Sequence, residues 1–305
     1  MIIMLLDLPN PLTTMRSLTL DPFSCSRRAL CFVALLLISF FPPLPALAGN
    51  GWSDVRKPSA GPPRVVGSYT HGCVAGAQAL PLVGEGFQVM RPSRHRYFGH
   101  PTLLEVLQRL GRVAAASGKR MLVGDLGQPR GGPLLSGHRS HQVGLDVDVW
   151  FLMADRLLGE HDIEHWSAPS MVRAADGVMA DGRWQPAYRD LLKAAAEAPE
   201  VERIFVNPII KRALCDSEPD KSWLAKIRPW WNHEEHFHAR LFCPVDDGDC
   251  EAQAAVPPGH GCDADLDHWV TDIQVAARAK KRPQPPPPPS VAKLPPACAE
   301  ILNSD

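Results

Sequence analysis

Two short segments of the chain concentrate side chains that could bind a metal ion. One runs from His138 to Asp148 and the other from His233 to His238. A catalytic zinc is commonly held by imidazole nitrogens and carboxylate oxygens from separate parts of the chain, with one coordination position left open. Such a zinc lowers the pKa of water to about 7 and polarises a scissile carbonyl. The two segments therefore predict a zinc hydrolase.

Both segments alternate as β-strands do, so residues two apart share a face. His236 and His238 would lie on one face of the second segment, and Asp146 and Asp148 on one face of the first. Helical zincins instead place two histidines four apart on a helix. His233 and His236 are three apart in a strand-like segment. This pattern excludes that class.

The spacing alone leaves the ligands open. The carboxylate ligand could be Asp148 or Asp146, and the loop imidazole could be His141 or His138. An acid that is not a ligand could instead cap a loop or pair with an arginine. The sequence thus predicts a set of two histidines and one aspartate without choosing its members.

The N-terminus predicts export. Arg27 and Arg28 precede the apolar run 29–41, and Ala46-Leu47-Ala48 is typical of a signal cleavage site. We therefore expect residues 1–48 to be a signal peptide and the protein to be periplasmic. The apolar run is too short to span a bilayer comfortably, so we expect no stable membrane insertion after cleavage.

The cysteines also predict an oxidising compartment. Beyond residue 48 the chain has no C-x-x-C pair, and six cysteines remain: Cys73, Cys215, Cys243, Cys250, Cys262 and Cys298. Six such cysteines in an exported protein predict three disulfides rather than a zinc knuckle. Cys243 and Cys250 bracket a turn-rich segment and are the easiest local pair.

The charge and the element pattern limit the class of protein. With 32 basic and 33 acidic residues the net charge is −1, which excludes a polyanion-binding footprint and hence a nucleic-acid partner. Helices are predicted at 101–117, 185–198 and 208–214, and strands at 120–125, 145–151, 201–206 and 236–242. This mixture predicts an α+β fold with an antiparallel central sheet and flanking helices. We expect a flexible N-terminal segment at 49–66, a catalytic domain at 67–280 and a Pro-rich tail at 281–305.

The motifs resemble a known family. The run from His138 to Asp148, the pair Trp230-Trp231 and the run from His233 to His238 are similar to those of the penicillin-insensitive murein endopeptidases, members of the LAS group of metallopeptidases. The resemblance extends from about residue 67 to 298. It implies an LAS-type fold and three disulfides, Cys73–Cys298, Cys215–Cys262 and Cys243–Cys250.

The resemblance also implies roles for the site residues. Zinc would be bound by His141, Asp148 and His238, with His236 beside the metal water and with His138 and His233 as further site residues. Some family members have a second metal, to which an Asp-Gly-x-His run contributes. Here the run is Asp176-Gly177-Val178-Met179, without the histidine. Asp176 is therefore a weak candidate ligand for a second metal.

The implied activity is hydrolysis of D-alanyl–meso-diaminopimelyl cross-bridges in peptidoglycan. The alternatives are a zinc D,D-carboxypeptidase or dipeptidase acting on stem peptides, and a cell-wall-binding or zinc-buffering protein without turnover. We favour His236 as the general base because it shares a face with His238. Glu235 is the rival, since related dipeptidases carry a glutamate three residues before the last zinc histidine, but strand alternation would aim it away.

Two further features have two interpretations each. The basic run 94–96 could bind carboxylates of stem peptides or form a solvated loop. Trp230 and Trp231 could wall the substrate groove or pack in the core. The sequence does not indicate the oligomeric state.

Overall fold

The structure is a computed structural model that describes residues 50–135, 138–281 and 294–304. The predicted signal peptide and most of the predicted Pro-rich tail lie outside these ranges. Residues Gly49–Asp305 form one compact unit. None of the helices in the described ranges has the length and apolar character needed to cross a membrane.

The described residues form strands and helices in a mixed order. The strands are β1 Arg64–Ser68, β2 His71–Ala75, β3 Gln78–Ala79, β4 Val83–Gly84, β5 Phe87–Val89, β6 Phe98–Gly99, β7 Arg120–Val123, β8 Asp146–Ala154, β9 Val172–Arg173, β10 Val178–Met179, β11 Val201–Val206, β12 Ile227–Pro229 and β13 His236–Leu241. The helices are α1 Pro101–Ala116, α2 Glu160–His165, α3 Pro186–Glu197, α4 Pro208–Ser217, α5 Ala264–Arg278 and α6 Pro296–Asn303. Short 3₁₀ helices occupy Pro92–Arg94 and Ser222–Lys226. The predicted α+β class is confirmed, and each predicted helix and strand has a counterpart.

Helix α1 illustrates how the sequence sets an element. Pro101 occupies its first turn, where a missing N–H costs nothing, and the His100 ring accepts a hydrogen bond from the Thr102 N–H at 3.3 Å. Gly118 follows the helix with φ of 70°, a conformation that favours glycine. The buried side chains recur at helical spacing, at Leu103, Leu107, Leu110 and Ala114. This stripe packs α1 against the sheet.

The central sheet has seven strands in the order β12-β11-β13-β8-β7-β5-β4. The pairs β11–β13, β13–β8 and β8–β7 are antiparallel, as predicted for the centre of the sheet. The pairs β5–β7 and β11–β12 are parallel, which the sequence analysis did not anticipate. Parallel neighbours need a crossover connection, and α1 and α4 lie in these two connections. The sheet is therefore antiparallel where it carries the predicted site and mixed towards its edges.

The two faces of strand β8 have different surroundings. Val147 and Val149 are buried in the main core together with Leu107 of α1 and Leu191 of α3. Trp150 belongs to a separate cluster with Met90 and other residues. Helices α1 and α3 thus cover one face of the sheet, and the polar residues of β8 are left on the other.

Residues near 52 and near 301 pack against each other. Trp52 is buried with Cys73, Cys298 and Ile301. The Arg130 guanidinium donates hydrogen bonds to the backbone carbonyls of Ile301 and Leu302, at 3.1 and 2.7 Å. The described part of the segment predicted to be flexible is thus packed on the body. The domain boundaries at 67 and 280 stay predictions.

The three disulfides join the pairs that the family resemblance implied: Cys73–Cys298, Cys215–Cys262 and Cys243–Cys250. Their Cα atoms are 5.7, 5.7 and 5.8 Å apart, within the usual range. The bonds link β2 to α6 and α4 to the segment before α5, and the third closes the turn after β13. This part of the prediction is confirmed.

The length of the loop that a disulfide closes should set how much stability is lost when that disulfide is removed. The pair Cys73–Cys298 closes a separation of 225 residues, and Cys243–Cys250 closes one of 7. Because loop-closure entropy grows with loop length, replacing both members by alanine should cost about 3–5 kcal/mol for the long loop and roughly 2 kcal/mol for the short one. Urea denaturation followed by tryptophan fluorescence measures both. Equal losses would contradict the entropic account.

Candidate metal centre

The register of strands β8 and β13 builds the site. His236 lies opposite Trp150, His238 opposite Asp148, and Arg240 opposite Asp146. Directly opposed residues of an antiparallel pair point to the same face of the sheet. The strand faces predicted from alternation are therefore confirmed, and they meet on one surface. Asp146 and Asp148 are both buried there, with 0% and 4% exposure.

Four imidazoles surround the Asp148 carboxylate. Its Oδ1 lies 3.4 Å from Nε2 of His141, 3.5 Å from Nδ1 of His238 and 3.6 Å from Nε2 of His236. Its Oδ2 lies 3.3 Å from Nε2 of His138. One ligand atom from each of His138, His141 and Asp148 falls within 4.8 Å of the others. The structure thus brings together all four residues predicted as metal ligands.

Hydrogen bonds fix which nitrogens of two histidines carry protons. The His141 Nδ1–H donates to the backbone carbonyl of Leu126 at 2.5 Å, and the His238 Nε2–H donates to Asp146 Oδ1 at 2.7 Å. Both acceptors lack a proton to give, so in the neutral form of each ring the other nitrogen holds a lone pair. Those nitrogens, Nε2 of His141 and Nδ1 of His238, face Asp148. Three acceptor atoms therefore converge.

This convergence fits a cation. Within the described residues, His141 Nε2 and Asp148 Oδ1 are buried and make no hydrogen bond. Buried acceptors without a partner are costly, and a metal ion would satisfy them. Zinc bonds to nitrogen and oxygen of ~2.0–2.1 Å imply tetrahedral ligand separations of roughly 3.3–3.4 Å. The separations of 3.4 and 3.5 Å from Asp148 Oδ1 are close to that value.

Asp146 orients the histidines from behind. Besides His238, its Oδ1 accepts a bond from Arg240 Nε at 2.6 Å, and its Oδ2 accepts one from the His141 backbone N–H at 3.1 Å. Burial raises the pKa of Asp146, but Arg240 and His238 outweigh it and hold that pKa below the ordinary value. Of the two aspartates left open by the sequence, Asp146 is the one that pairs with an arginine. Such a carboxylate–histidine pair is typical behind a metal ligand.

Burial keeps three histidines neutral. It lowers the pKa of His238 to about 4 in spite of the nearby Asp146. It also lowers the pKa of His236 and, more strongly, that of His233. For His141 burial acts in the same direction, but Asp148 outweighs it and raises the pKa. Neutral imidazoles are the form that binds metal or accepts a proton.

His138 is tied to a residue that the sequence analysis missed. Asp125 Oδ2 lies 3.1 Å from His138 Nε2, 2.9 Å from Arg94 Nη2 and 3.0 Å from Arg96 Nη1. The basic run 94–96 is therefore not a solvated loop, because two of its guanidinium groups bind this buried carboxylate. Asp125 ends the predicted strand at 120–125. Its position at the end of a predicted strand was the only sequence feature that could have marked it as a site residue.

His233 and Glu235 flank His236. The His233 Nδ1–H donates to the Trp231 carbonyl at 2.7 Å, and its ring centroid is 5.0 Å from that of His236. Glu235 precedes the first residue of β13 and lines the same cleft as His236. Strand alternation therefore does not separate these two candidate bases. The choice between them stays a prediction.

The remaining predicted residues lie further out. Trp230 is 49% exposed and packs against Phe205 and Trp269, whereas Trp231 is partly buried against the main core. Asp176 is exposed in the β9–β10 hairpin, where its Oδ2 accepts a bond from Arg173 Nε at 3.2 Å. Among the described residues the structure does not bring it together with the histidine cluster. A second metal at Asp176 stays a prediction.

Backbone strain is concentrated near the cluster. Among the described non-glycine residues, six have positive φ, and five of these belong to the segments that form the site: Arg91, His95, His141, Asn232 and His233. Left-handed backbone costs free energy for residues with a Cβ and often marks functional sites. Sequence patterns carry no direct signal for it, because none of the five is a glycine.

A cleft opens beside the histidines. It has a volume of about 240 Å³, and its lining includes Arg91, Arg94, Asp125, His138, Asp148, Trp150, Ser167, Glu235 and His236. A larger groove of about 980 Å³ lies beside Phe242, beyond the far end of β13, and none of the clustered histidines lines it. The smaller cleft is the candidate substrate site because His138, Asp148 and His236 line it.

Comparison with known proteins defines the class as a peptidase. The sequence pattern of the penicillin-insensitive murein endopeptidases matches residues 65–303. The chain belongs to this family. Proteins named penicillin-insensitive murein endopeptidase include one from Yersinia enterocolitica, 42% identical over 282 residues, which covers 89% of this chain and 95% of the relative.

Two further relatives have the same name. The Klebsiella pneumoniae protein is 40% identical over 270 residues, covering 85% of this chain and 93% of the relative. The Escherichia coli protein is 39% identical over 282 residues, covering 88% and 97%. The family resemblance inferred from the motifs is confirmed over most of the chain.

The Asp146 contact should control metal affinity. Asp146→Asn keeps the side-chain shape but removes the charge that orients His238, so Zn²⁺ should bind about 10–100-fold more weakly. Competition with a chromophoric chelator measures the affinity. Asp155→Asn, at an exposed aspartate that pairs with Lys119 and does not line the cleft, is the matched control and should bind as the wild type does. If Asp146→Asn folds and binds Zn²⁺ with unchanged affinity, Asp146 does not tune the site.

Proposed function

We propose that the protein is a zinc-dependent endopeptidase that hydrolyses D-alanyl–meso-diaminopimelyl cross-bridges of peptidoglycan in the periplasm. Membership of the murein endopeptidase family supports the substrate class. Three disulfides and the predicted signal peptide support an oxidising compartment outside the cytoplasm.

One observation carries the metal assignment. Two imidazole nitrogens, on His141 and His238, face the same oxygen of Asp148, at 3.4 and 3.5 Å, and in the neutral rings both hold lone pairs. Without a cation, these acceptors would be buried with nothing between them to bind. We therefore assign His141, Asp148 and His238 as the ligands of one zinc ion.

His138 is assigned a neighbouring role. Its Nε2 lies 3.1 Å from Oδ2 of Asp125 and 3.3 Å from Oδ2 of Asp148, so this nitrogen is shared between two carboxylates. A zinc ion held by the ligands would lower the pKa of water and polarise the carbonyl of the scissile bond. His138 would then position groups at the edge of the cleft.

His236 is proposed as the general base. Burial keeps its ring neutral, so Nε2 can accept a proton, and the ring lines the substrate cleft. His233 packs on this ring and is itself fixed by the Trp231 carbonyl. We propose that His233 orients His236 and that a second proton transfer from His236 reaches the leaving amine.

The substrate proposal is tested with purified cross-linked muropeptide dimers. The zinc-loaded protein should convert dimers to monomers, a chelator should stop the reaction and added Zn²⁺ should restore it. β-Lactams should not inhibit, because attack by water needs no serine nucleophile to acylate. Chromatography of the products measures conversion, and His141→Ala is the inactive control.

The same assay separates the alternatives. Release of terminal D-alanine from pentapeptide monomers, with dimers left intact, would indicate the D,D-carboxypeptidase or dipeptidase instead. Binding to sacculi without released fragments would indicate a cell-wall-binding protein. Either result would reject the endopeptidase assignment.

The general base is tested by a pair of variants. His236→Ala should lower kcat by about 10²–10⁴-fold, the usual contribution of a positioned acid–base group. Glu235→Gln should retain kcat within a few fold, although Glu235 lines the same cleft. Steady-state kinetics on the dimer, with zinc content measured for each variant, make the comparison. The reverse pattern would transfer the role to Glu235.

A further inference from the structure

The cleft contains a guanidinium group that the proposed chemistry does not use. Arg91 and Arg94 both line it. Arg94 is paired with Asp125 at 2.9 Å, but none of the ion pairs among the described residues includes Arg91. The carboxylate of Glu164, near Arg91, instead accepts hydrogen bonds from the backbone N–H and the hydroxyl of Ser93, at 2.9 and 2.6 Å. Arg91 thus has positive charge to offer a ligand.

Arg91 is held in place by neutral groups. Its Nη2 donates to the Trp166 carbonyl at 3.3 Å and to the Ser167 hydroxyl at 3.1 Å, and its Cζ lies 5.2 Å from the centroid of the Trp150 ring. Its backbone has φ of 54°, and its N–H donates to the Ile163 carbonyl at 2.8 Å. These contacts fix the guanidinium without neutralising it. No described residue accepts a hydrogen bond from its Nε or Nη1, so these N–H groups can donate to a ligand carboxylate.

The strand register connects Arg91 to the reacting groups. Trp150, on which the guanidinium lies, is directly opposite His236 in the sheet. Both side chains line the cleft, as does Asp148. A ligand carboxylate at Arg91 would therefore be close to the proposed general base and metal ligands.

The chemistry of the proposed substrate supplies such a carboxylate. In a D-alanyl–meso-diaminopimelyl cross-bridge, the carbon that bears the scissile nitrogen also bears a free carboxylate. We infer that Arg91 binds this carboxylate and so selects substrates whose leaving amine has a negative charge beside it. This inference rests on the proposed function and adds to it the residue that recognises the leaving group.

Two synthetic dimers test the inference. They differ only in the group next to the scissile nitrogen, which is a carboxylate in one and a carboxamide in the other. The wild type should cleave the carboxylate dimer with about 10–100-fold higher kcat/KM, since hydrogen bonds to charged groups are the stronger ones. Arg91→Ala should lose about this factor on the carboxylate dimer, mainly through KM, and change little on the carboxamide dimer.

Matched variants guard against a structural effect. Arg91→Gln retains a donor for the Trp166 carbonyl but has no charge, so it should behave as Arg91→Ala does even if the alanine variant folds poorly. Arg156→Ala removes an exposed arginine that pairs with Asp162 and does not line the cleft, and it should match the wild type. Zinc content and circular dichroism verify that each variant retains the site and the fold.

The outcomes distinguish a failure of the Arg91 inference from a failure of the proposed function. Equal losses on both dimers would leave Arg91 with a structural role only and overturn the inference, while cleavage by the wild type would still support the proposed function. If the zinc-loaded wild type cleaves neither dimer, the proposed function fails and the assignment of Arg91 fails with it.

Discussion

Two buried carboxylates on one strand are the constraint around which the rest of the structure is arranged. Asp146 and Asp148 face the same side of the sheet, where solvent does not reach them. Burying a charge is tolerated only when it is paired. Arg240 and His238 compensate Asp146, whereas Asp148 is surrounded by imidazoles, two of which present lone pairs to it. The first carboxylate is compensated within the fold, and the charge of the second could be compensated by a bound cation.

The division of labour between the two acids depends on the neighbouring strand. The antiparallel register places the cation Arg240 against Asp146 and the proposed metal ligand His238 against Asp148. His238 then reaches back to Asp146 through its other nitrogen, so one ring links the two carboxylates. A register shift of one residue would turn all of these side chains to the other face. The register of the sheet therefore determines which side chains meet at the site.

The sequence allowed prediction of the features that depend on neighbouring residues in the chain. Alternation gave the faces of β8 and β13 because strand period is a property of neighbouring residues. It missed Asp125 and the Leu126 carbonyl because their roles arise only when distant loops meet. The parallel edge pairs were missed for the same reason. The run 94–96 was predicted to bind carboxylates of stem peptides or to form a solvated loop, whereas Arg94 and Arg96 pair with Asp125 of the protein itself.

The order of the disulfides has a consequence for how the protein matures. Beyond residue 48, Cys73 is the first cysteine to emerge during synthesis, yet its partner Cys298 is the last. If oxidation followed the order of emergence, Cys73 would be joined to Cys215, which belongs to Cys262. Reaching the native pairing then requires thiol–disulfide exchange. An isomerase that catalyses this exchange would speed maturation along that route.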